Sequence, residues 1–238
     1  MQRYFATYDK FKNIIINDDD IFHIKKVMRM KINECFELNI DGDICLCKIT
    51  SLNPFEYEIL SKKDENHELN GYIRLLYCLP KGEKTDLVIQ KAVELGVNEI
   101  VLINSTRSIA KITKENKDKK IERFNKIIKE ASEQSKRTKL TKLEDVISFK
   151  EIVNYKADIS LIAYENSTNT LCDLNHVLNQ VSGKSVNVII GAEGGLTKEE
   201  VELALNDGYQ EITLGKRILR SETACFYILS LLSFFMDK

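Results

Sequence analysis

The chain has 238 residues, a length that fits one large or two modest domains, and 43% of them are hydrophobic, enough for a real core. Its 35 basic and 36 acidic side chains leave a net charge of −1, which identifies no partner because a balanced total hides local patches. No apolar run reaches the roughly 18 residues that a membrane span needs, and residues 1–17 lack the apolar core of a signal peptide, so a soluble cytoplasmic protein is expected.

Residues 1–70 read as mostly β. A helix is predicted near 18–28, with Asp18 to Asp20 as capping carboxylates and Ile21, Ile24, Val27 and Met28 at helical spacing. Residues 34–40 are strand-like, Asp41-Gly42 is a turn signal, and 44–49 alternate into a second strand, with another arm at 57–60. The polar stretch 61–71 ends in Asn70-Gly71 and reads as a linker. The six cysteines, Cys35, Cys45, Cys47, Cys78, Cys172 and Cys225, show no CxxC spacing, and the three histidines are far apart. Reduced structural thiols and no metal are therefore expected.

From 71 to 238 strands alternate with helices, which predicts an α/β domain. Strands are expected at 72–78, 99–103, 158–164, 186–190 and 211–214, and their nearly unbroken apolar runs suit a parallel sheet covered on both faces. Helices are expected at 85–95, closed by Gly96, and at 117–136, with Ile121, Phe124, Ile128 and Ala131 on one face. Thr197 with Glu200 forms a capping box that opens another helix, ended by Gly208, and Ser221 is expected to cap a final helix reaching Phe235.

Ligands of open α/β sheets bind beyond the carboxyl ends of the strands. Three such ends carry unusual sequence: Ala163-Tyr164-Glu165, Gly191-Ala192-Glu193-Gly194-Gly195, and 215–224. The glycine turn lets backbone approach a ligand closely, or is simply a tight turn with a solvated glutamate. It is neither GxGxxG nor a P-loop, and Glu193 within it would repel a polyphosphate. If it serves a ligand, Gly194 should leave that ligand space. Glu222 and Ser221 fit a helix N-terminus on structural grounds alone. Arg217 and Arg220 do not, because a cation beside the positive end of a helix is unfavourable, so at least one should meet an anion. Residues 111–142 hold 12 Lys and Arg against 5 Asp and Glu, a local balance of +7 that reads as a solvated helix face or as a phosphate-binding surface.

Residues 190–195 and 214–224 resemble the two signatures of the ribosomal RNA small subunit methyltransferase E family, which belongs to the SPOUT class. Leu79-Pro80-Lys81-Gly82-Glu83-Lys84, Gln90 through Val97, Glu133-Gln134-Ser135 with Arg137-Thr138, Arg3-Tyr4-Phe5, and His23 with Val27 to Arg29 are similar to further family motifs, in the right order along nearly the whole chain. Ala192 stands where the family usually has proline, Lys136 where it has glycine, and Ser221 where threonine is commoner.

The resemblance implies a PUA-like β-barrel RNA-binding domain over 1–70, then a SPOUT α/β methyltransferase domain over 71–238 whose C-terminal segment threads a trefoil knot. It implies S-adenosylmethionine as cofactor, a homodimer, and methylation of uridine N3 in bacterial 16S ribosomal RNA, with the small ribosomal subunit as the setting. Cofactor contacts are expected from Ala163, Tyr164, Glu165, Ile190, Gly191, Glu193, Gly194, Gly195, Leu214, Gly215, Ile218, Leu219, Arg220, Thr223 and Ala224. Arg220 is expected to stabilise the developing uridine anion, and Glu193 or Glu222 to take the proton. RNA contacts are assigned to Arg3, Arg29, Lys81, Lys84, Lys119, Lys120, Arg123 and Arg137. Two other readings compete. The placement of Glu193 and the missing P-loop lysine oppose a nucleotide-binding enzyme. Retention of Glu193, Gly194, Arg217, Arg220 and Glu222 opposes a non-catalytic RNA-binding protein.

Overall fold

The computed structural model describes residues 1–82, 84–108, 111–168 and 170–237; Glu83 of the 79–84 motif and the Cys172 thiol lie outside the described residues and side chains. The chain forms two compact units, 1–68 with 132–140, and 69–131 with 141–238. The single cut expected at 70/71 thus misses that residues 132–140 belong with the first unit.

In the first unit, β1 (Arg3–Tyr8), β2 (Ile14–Ile16), β3 (Cys35–Ile40), β4 (Asp43–Leu52) and β5 (Phe55–Lys63) form a sheet of order β2-β1-β3-β4-β5. Only the β1–β3 pair is parallel. Asp41 and Gly42 both have positive φ, 53° and 100°, as a two-residue hairpin turn requires. Inward alternation along the strands buries Tyr4, Phe36, Leu38, Cys45, Cys47 and Ile49.

The short helix α1 (Asp18–Phe22) is capped by Asn17, whose side chain accepts from Asp19 N, and not by the aspartates expected there. After Phe22 the chain widens into a π-type turn, His23–Val27. The wider turn changes the angular phase, so Ile24 stays buried while Val27 and Met28 face solvent, which breaks the predicted stripe.

The stretch read as a linker is a scaffold for buried charge. Arg3, 1% exposed, donates to Glu37 Oε2 at 3.1 Å, Glu65 Oε2 at 2.8 Å and the Lys136 carbonyl at 2.6 Å. Arg137, 2% exposed, is forked onto Glu68, which also accepts the amides of Thr138 and Lys139. Asn39 donates to the Thr138 carbonyl at 2.9 Å. Arg3 and Arg137 are therefore internal ties that hold residues 132–140, and the RNA contacts assigned to them are corrected. A buried cation persists only where carboxylates and carbonyls compensate its desolvation, and both arginines are fully engaged in that way.

Lys136 sits at φ 62°, in the left-handed region that explains a usual glycine. Its ammonium turns to Glu37 Oε2 at 2.9 Å rather than to an RNA face. Burial alone would raise the Glu37 pKa. Hydrogen bonds from Lys63 and Lys136, with the charges of Lys136 and Arg3, outweigh it and bring the pKa to about 2.

The second unit contains β6 (Tyr72–Cys78), α2 (Lys84–Glu94), β7 (Glu99–Asn104), α3 (Lys117–Gln134, its last three residues in the first unit), β8 (Lys142–Leu143), β9 (Ile147–Ser148), β10 (Ile159–Ala163), α4 (Leu171–Leu178), β11 (Ser185–Ile190), α5 (Lys198–Asn206), β12 (Gln210–Ile212) and α6 (Ser221–Met236). The sheet order is β12-β10-β11-β6-β7-β8, with β9 also on β7, and every pair is parallel.

Alternate residues of β6 enter opposite cores. Ile73, Leu75 and Tyr77 pack with residues of α2, α3, α4 and α6, whereas Leu76 and Cys78 pack with α5 and the 3-10 turn Phe149–Asn154. This two-sided burial explains the unbroken apolar runs. Gly96 closes α2 at φ 89°, where a Cβ would meet Leu69 Cδ1 at 2.6 Å. The two-residue strands β8 and β9, the 149–154 turn and α4 were not foreseen, being too short to show a period.

Candidate functional site

The neighbours β12, β10 and β11 run parallel, so their carboxyl ends lie along one edge of the sheet. The loops that follow them enclose a cleft of about 410 Å³ walled by residues 163–165, 190–196 and 213–221 with Ala224. All the residues expected to meet a cofactor line this cleft except Thr223, which is exposed and outside it.

The glycine turn is closed by Gly195 N donating to the Ala192 carbonyl at 2.9 Å. Gly195 has φ 67°, and a Cβ there would come within 2.6 Å of Glu165 Oε1, so two walls of the cleft touch through bare backbone. Gly194 differs from expectation. A Cβ on it would meet Arg107 Cβ at 3.1 Å, so this glycine accommodates a neighbouring loop rather than leaving room for a ligand. Arg107, which the sequence reading missed, donates Nη1 to the Gly194 carbonyl at 2.9 Å and to the Leu196 carbonyl at 3.1 Å. Ala192 keeps the backbone N–H that a proline there would lack.

Ser221 was expected to cap α6. The cap position is instead Arg220, with no side-chain cap bond. The Ser221 hydroxyl donates to the Gly191 carbonyl at 2.5 Å and lies 3.0 Å from the Tyr77 hydroxyl. Having a single proton, Ser221 uses it on Gly191 and accepts from Tyr77. The start of α6 is thereby tied to the glycine turn.

Arg217 and Arg220 are exposed at the cleft, and among the described residues neither has an acidic partner. Ile218 between them is 88% exposed. Lys84 is the cation that is engaged. Its Nζ lies 2.9 Å from Glu193 Oε1 and 3.4 Å from Glu222 Oε1. Glu193 Oε2 accepts the Lys81 amide at 3.0 Å. Burial would raise the Glu193 pKa, but these two donors hold it below the usual carboxylate value. Glu222 stands behind the cleft wall, and its Oε2 is buried without a hydrogen-bond partner. Lys84 therefore organises the two carboxylates, which displaces the phosphate contact assigned to it.

Of the remaining RNA assignments, Arg29, Lys81 and Lys119 are exposed and Lys120 is half-buried. Arg123 is exposed but ion-paired with Asp86, and Lys117 pairs with Asp145, so part of the basic run is neutralised locally. Among the described residues no group of His, Cys, Asp and Glu is arranged to hold a metal, and no helix is long and apolar enough to cross a membrane. Arg107 follows β7, whose carboxyl end shares the edge of the cleft, and the strand-end rule applied there would have singled it out.

Comparison with known proteins supplies the remaining findings. Residues 67–233 match the model of an RNA methyltransferase domain, and 16–59 that of an RNA methyltransferase PUA domain. The chain is 33% identical to the ribosomal RNA small subunit methyltransferase E of Bacillus subtilis, over 98% of this chain and 96% of that one. A Neisseria gonorrhoeae protein of that name, solved with S-adenosyl methionine, superposes with a TM-score of 0.84 at 29% identity, over 98% of this chain and 97% of that one. A putative methyltransferase from Legionella pneumophila, also solved with bound cofactor SAM, gives 0.87 at 28% identity, over 98% and 96%.

Proposed function

Since the chain belongs to the ribosomal RNA small subunit methyltransferase E family, we propose that it methylates N3 of a uridine in bacterial 16S ribosomal RNA with S-adenosylmethionine as cofactor. The observation that carries this reading is the convergence of three strand-end loops on one cleft that also presents two unpaired guanidinium groups. The cleft of about 410 Å³ is of the size of small-molecule sites. Its backbone-lined wall at Gly195 and the carboxylates of Glu165 and Glu193 among its lining fit an occupant with a cationic centre. When bound, the cofactor supplies an electrophilic methyl group on a sulfonium.

The chain's own residues do the rest by positioning and charge. The loops at 163–165, 190–196 and 213–221 would hold the cofactor, which converts a bimolecular transfer into an oriented one. Uridine N3 carries a proton at neutral pH and is a poor nucleophile until that proton leaves. Arg220, unpaired at the cleft, donates to the oxygens on which the anion develops. Glu193 has both oxygens engaged and a depressed pKa, so it is a weak proton acceptor. Glu222 has a free oxygen, but it is buried behind the cleft wall and out of reach of a substrate in the cleft, so the proton is assigned to solvent.

The family reading also assigns the first unit to a PUA-like RNA-binding barrel and the second to the SPOUT class with a knotted C-terminal segment. A homodimer is supported by the outer face of α6, where Tyr227 and Phe234 are exposed beside the half-buried Phe226, Leu231 and Phe235.

The test is methyl transfer from labelled cofactor to 16S RNA, free and in small subunits, from a strain lacking the enzyme. The product is mapped by reverse-transcription arrest, since a methyl on N3 blocks the pairing edge. Label on another atom or another RNA would overturn the substrate assignment.

A further inference from the structure

The loop Ser105 to Ser108 is held more firmly than an exposed connection needs. The Asn104 side chain makes two 3.1 Å hydrogen bonds to the backbone of Ile112 and so closes the loop at its base. The hydroxyls of Ser105 and Ser108 are buried 2.8 Å apart. Thr106 N donates at 2.8 Å to Glu200 Oε1, whose other oxygen accepts Thr197 N in the capping box of α5. Arg107 alone points away from these anchors and reaches the two carbonyls that flank Gly195.

We propose that Arg107 is a positioning residue for the cofactor. Its Nη1 draws the Gly194 and Leu196 carbonyls to one cation and so holds the glycine turn in the left-handed conformation that forms the cleft wall. Arg107 does not itself line the cleft, so it acts through the turn. The close packing of Gly194 on Arg107 belongs to the same device, since a Cβ there would stand 3.1 Å from Arg107 Cβ and a side chain larger than alanine's would push the arginine off its carbonyls. A phosphate contact is the competing role for an exposed arginine. Against it, the Arg107 Nη1 already gives its hydrogen bonds to two backbone carbonyls of the turn.

The inference rests on the cofactor reading above, and the experiment separates the two. S-adenosylmethionine is titrated into the wild-type protein, Arg107→Ala and Arg107→Lys, and methyl transfer is measured over a range of cofactor concentrations. Loss of two charge-assisted hydrogen bonds to the turn should weaken cofactor affinity by about tenfold in Arg107→Ala, with KM for the cofactor rising in step. The rate at saturating cofactor, the RNA affinity and the cofactor-free melting temperature should hardly move. Arg107→Lys keeps a multi-proton donor and should recover most of the affinity, as should millimolar guanidinium added to Arg107→Ala. Absence of binding by the wild-type protein would sink the cofactor reading itself. Normal binding by both proteins would overturn the role of Arg107 alone. Loss of RNA affinity with cofactor affinity intact would reassign it to a phosphate. A fall in cofactor affinity that tracks a lowered melting temperature and is not rescued would reduce it to a structural part.

Discussion

Gly195→Ala tests whether the turn conformation itself serves binding. The residue sits at φ 67°, where an L side chain costs about 1–2 kcal/mol. Its new Cβ would also lie 2.6 Å from Glu165 Oε1. That carboxylate is the far end of an exposed side chain and can swing away, so the clash adds little energy but moves an acid within the cleft. If the alanine variant relaxes out of the left-handed region, cofactor binding must restore it. The same 1–2 kcal/mol then appears as roughly a 5- to 30-fold loss of affinity. Calorimetric titration with S-adenosylmethionine measures this, with a melting curve of the free protein as companion. Gly194→Ala is the internal control. It has no unfavourable φ, and its Cβ meets Arg107 no closer than 3.1 Å, at Cβ, so a smaller loss is expected. Unchanged affinity and unchanged melting in Gly195→Ala would refute the reasoning, because the strain would have gone neither into the fold nor into the site.

Arg220→Ala should lower the methylation rate at saturating substrates by on the order of 10²–10³, with cofactor affinity little changed; a normal rate with weak RNA binding would make it a phosphate contact. Replacing Lys119 and Lys120 together should weaken RNA binding and flatten its dependence on salt by up to ~2 in log–log slope, as read by filter binding. Arg123 adds less, because Asp86 already occupies it. Phe234→Glu should dissociate the proposed homodimer in light scattering, and a wild-type monomer at micromolar concentration would remove the premise. Acid should loosen the first unit through Glu37. Its folded pKa of about 2 lies below the unfolded carboxylate value of about 4.3, so its contribution is complete above that value. The contribution drains away as pH falls toward about 2, and Glu37→Gln should flatten this part of a pH–stability curve.

Much was legible from the sequence by itself, for local reasons. The boundaries of β6 appear in its apolar run, and the end of α2 in Gly96, whose φ of 89° suits no other residue well. The capping box of Thr197 and Glu200 and the Asp41-Gly42 turn are similarly written in adjacent residues. The three loops of the cleft were found because each follows a strand, and parallel strands end together.

What only tertiary structure decided concerns partners far apart in the chain. Charge patterning cannot tell a solvated arginine from one buried against a carboxylate 34 or 69 residues away, as Arg3 is with Glu37 and Arg137 with Glu68. Nor can it tell that Lys84 faces Glu193, 109 residues distant, instead of RNA. Ser221 read as a helix cap because its local context permits one, yet the Gly191 carbonyl, brought close by the sheet order, takes its proton. Propensities and caps act over a few residues, and sequence reports them. Desolvation and hydrogen bonding act between whatever surfaces the fold brings together, and these settled which polar groups are structural ties and which remain free at the cleft.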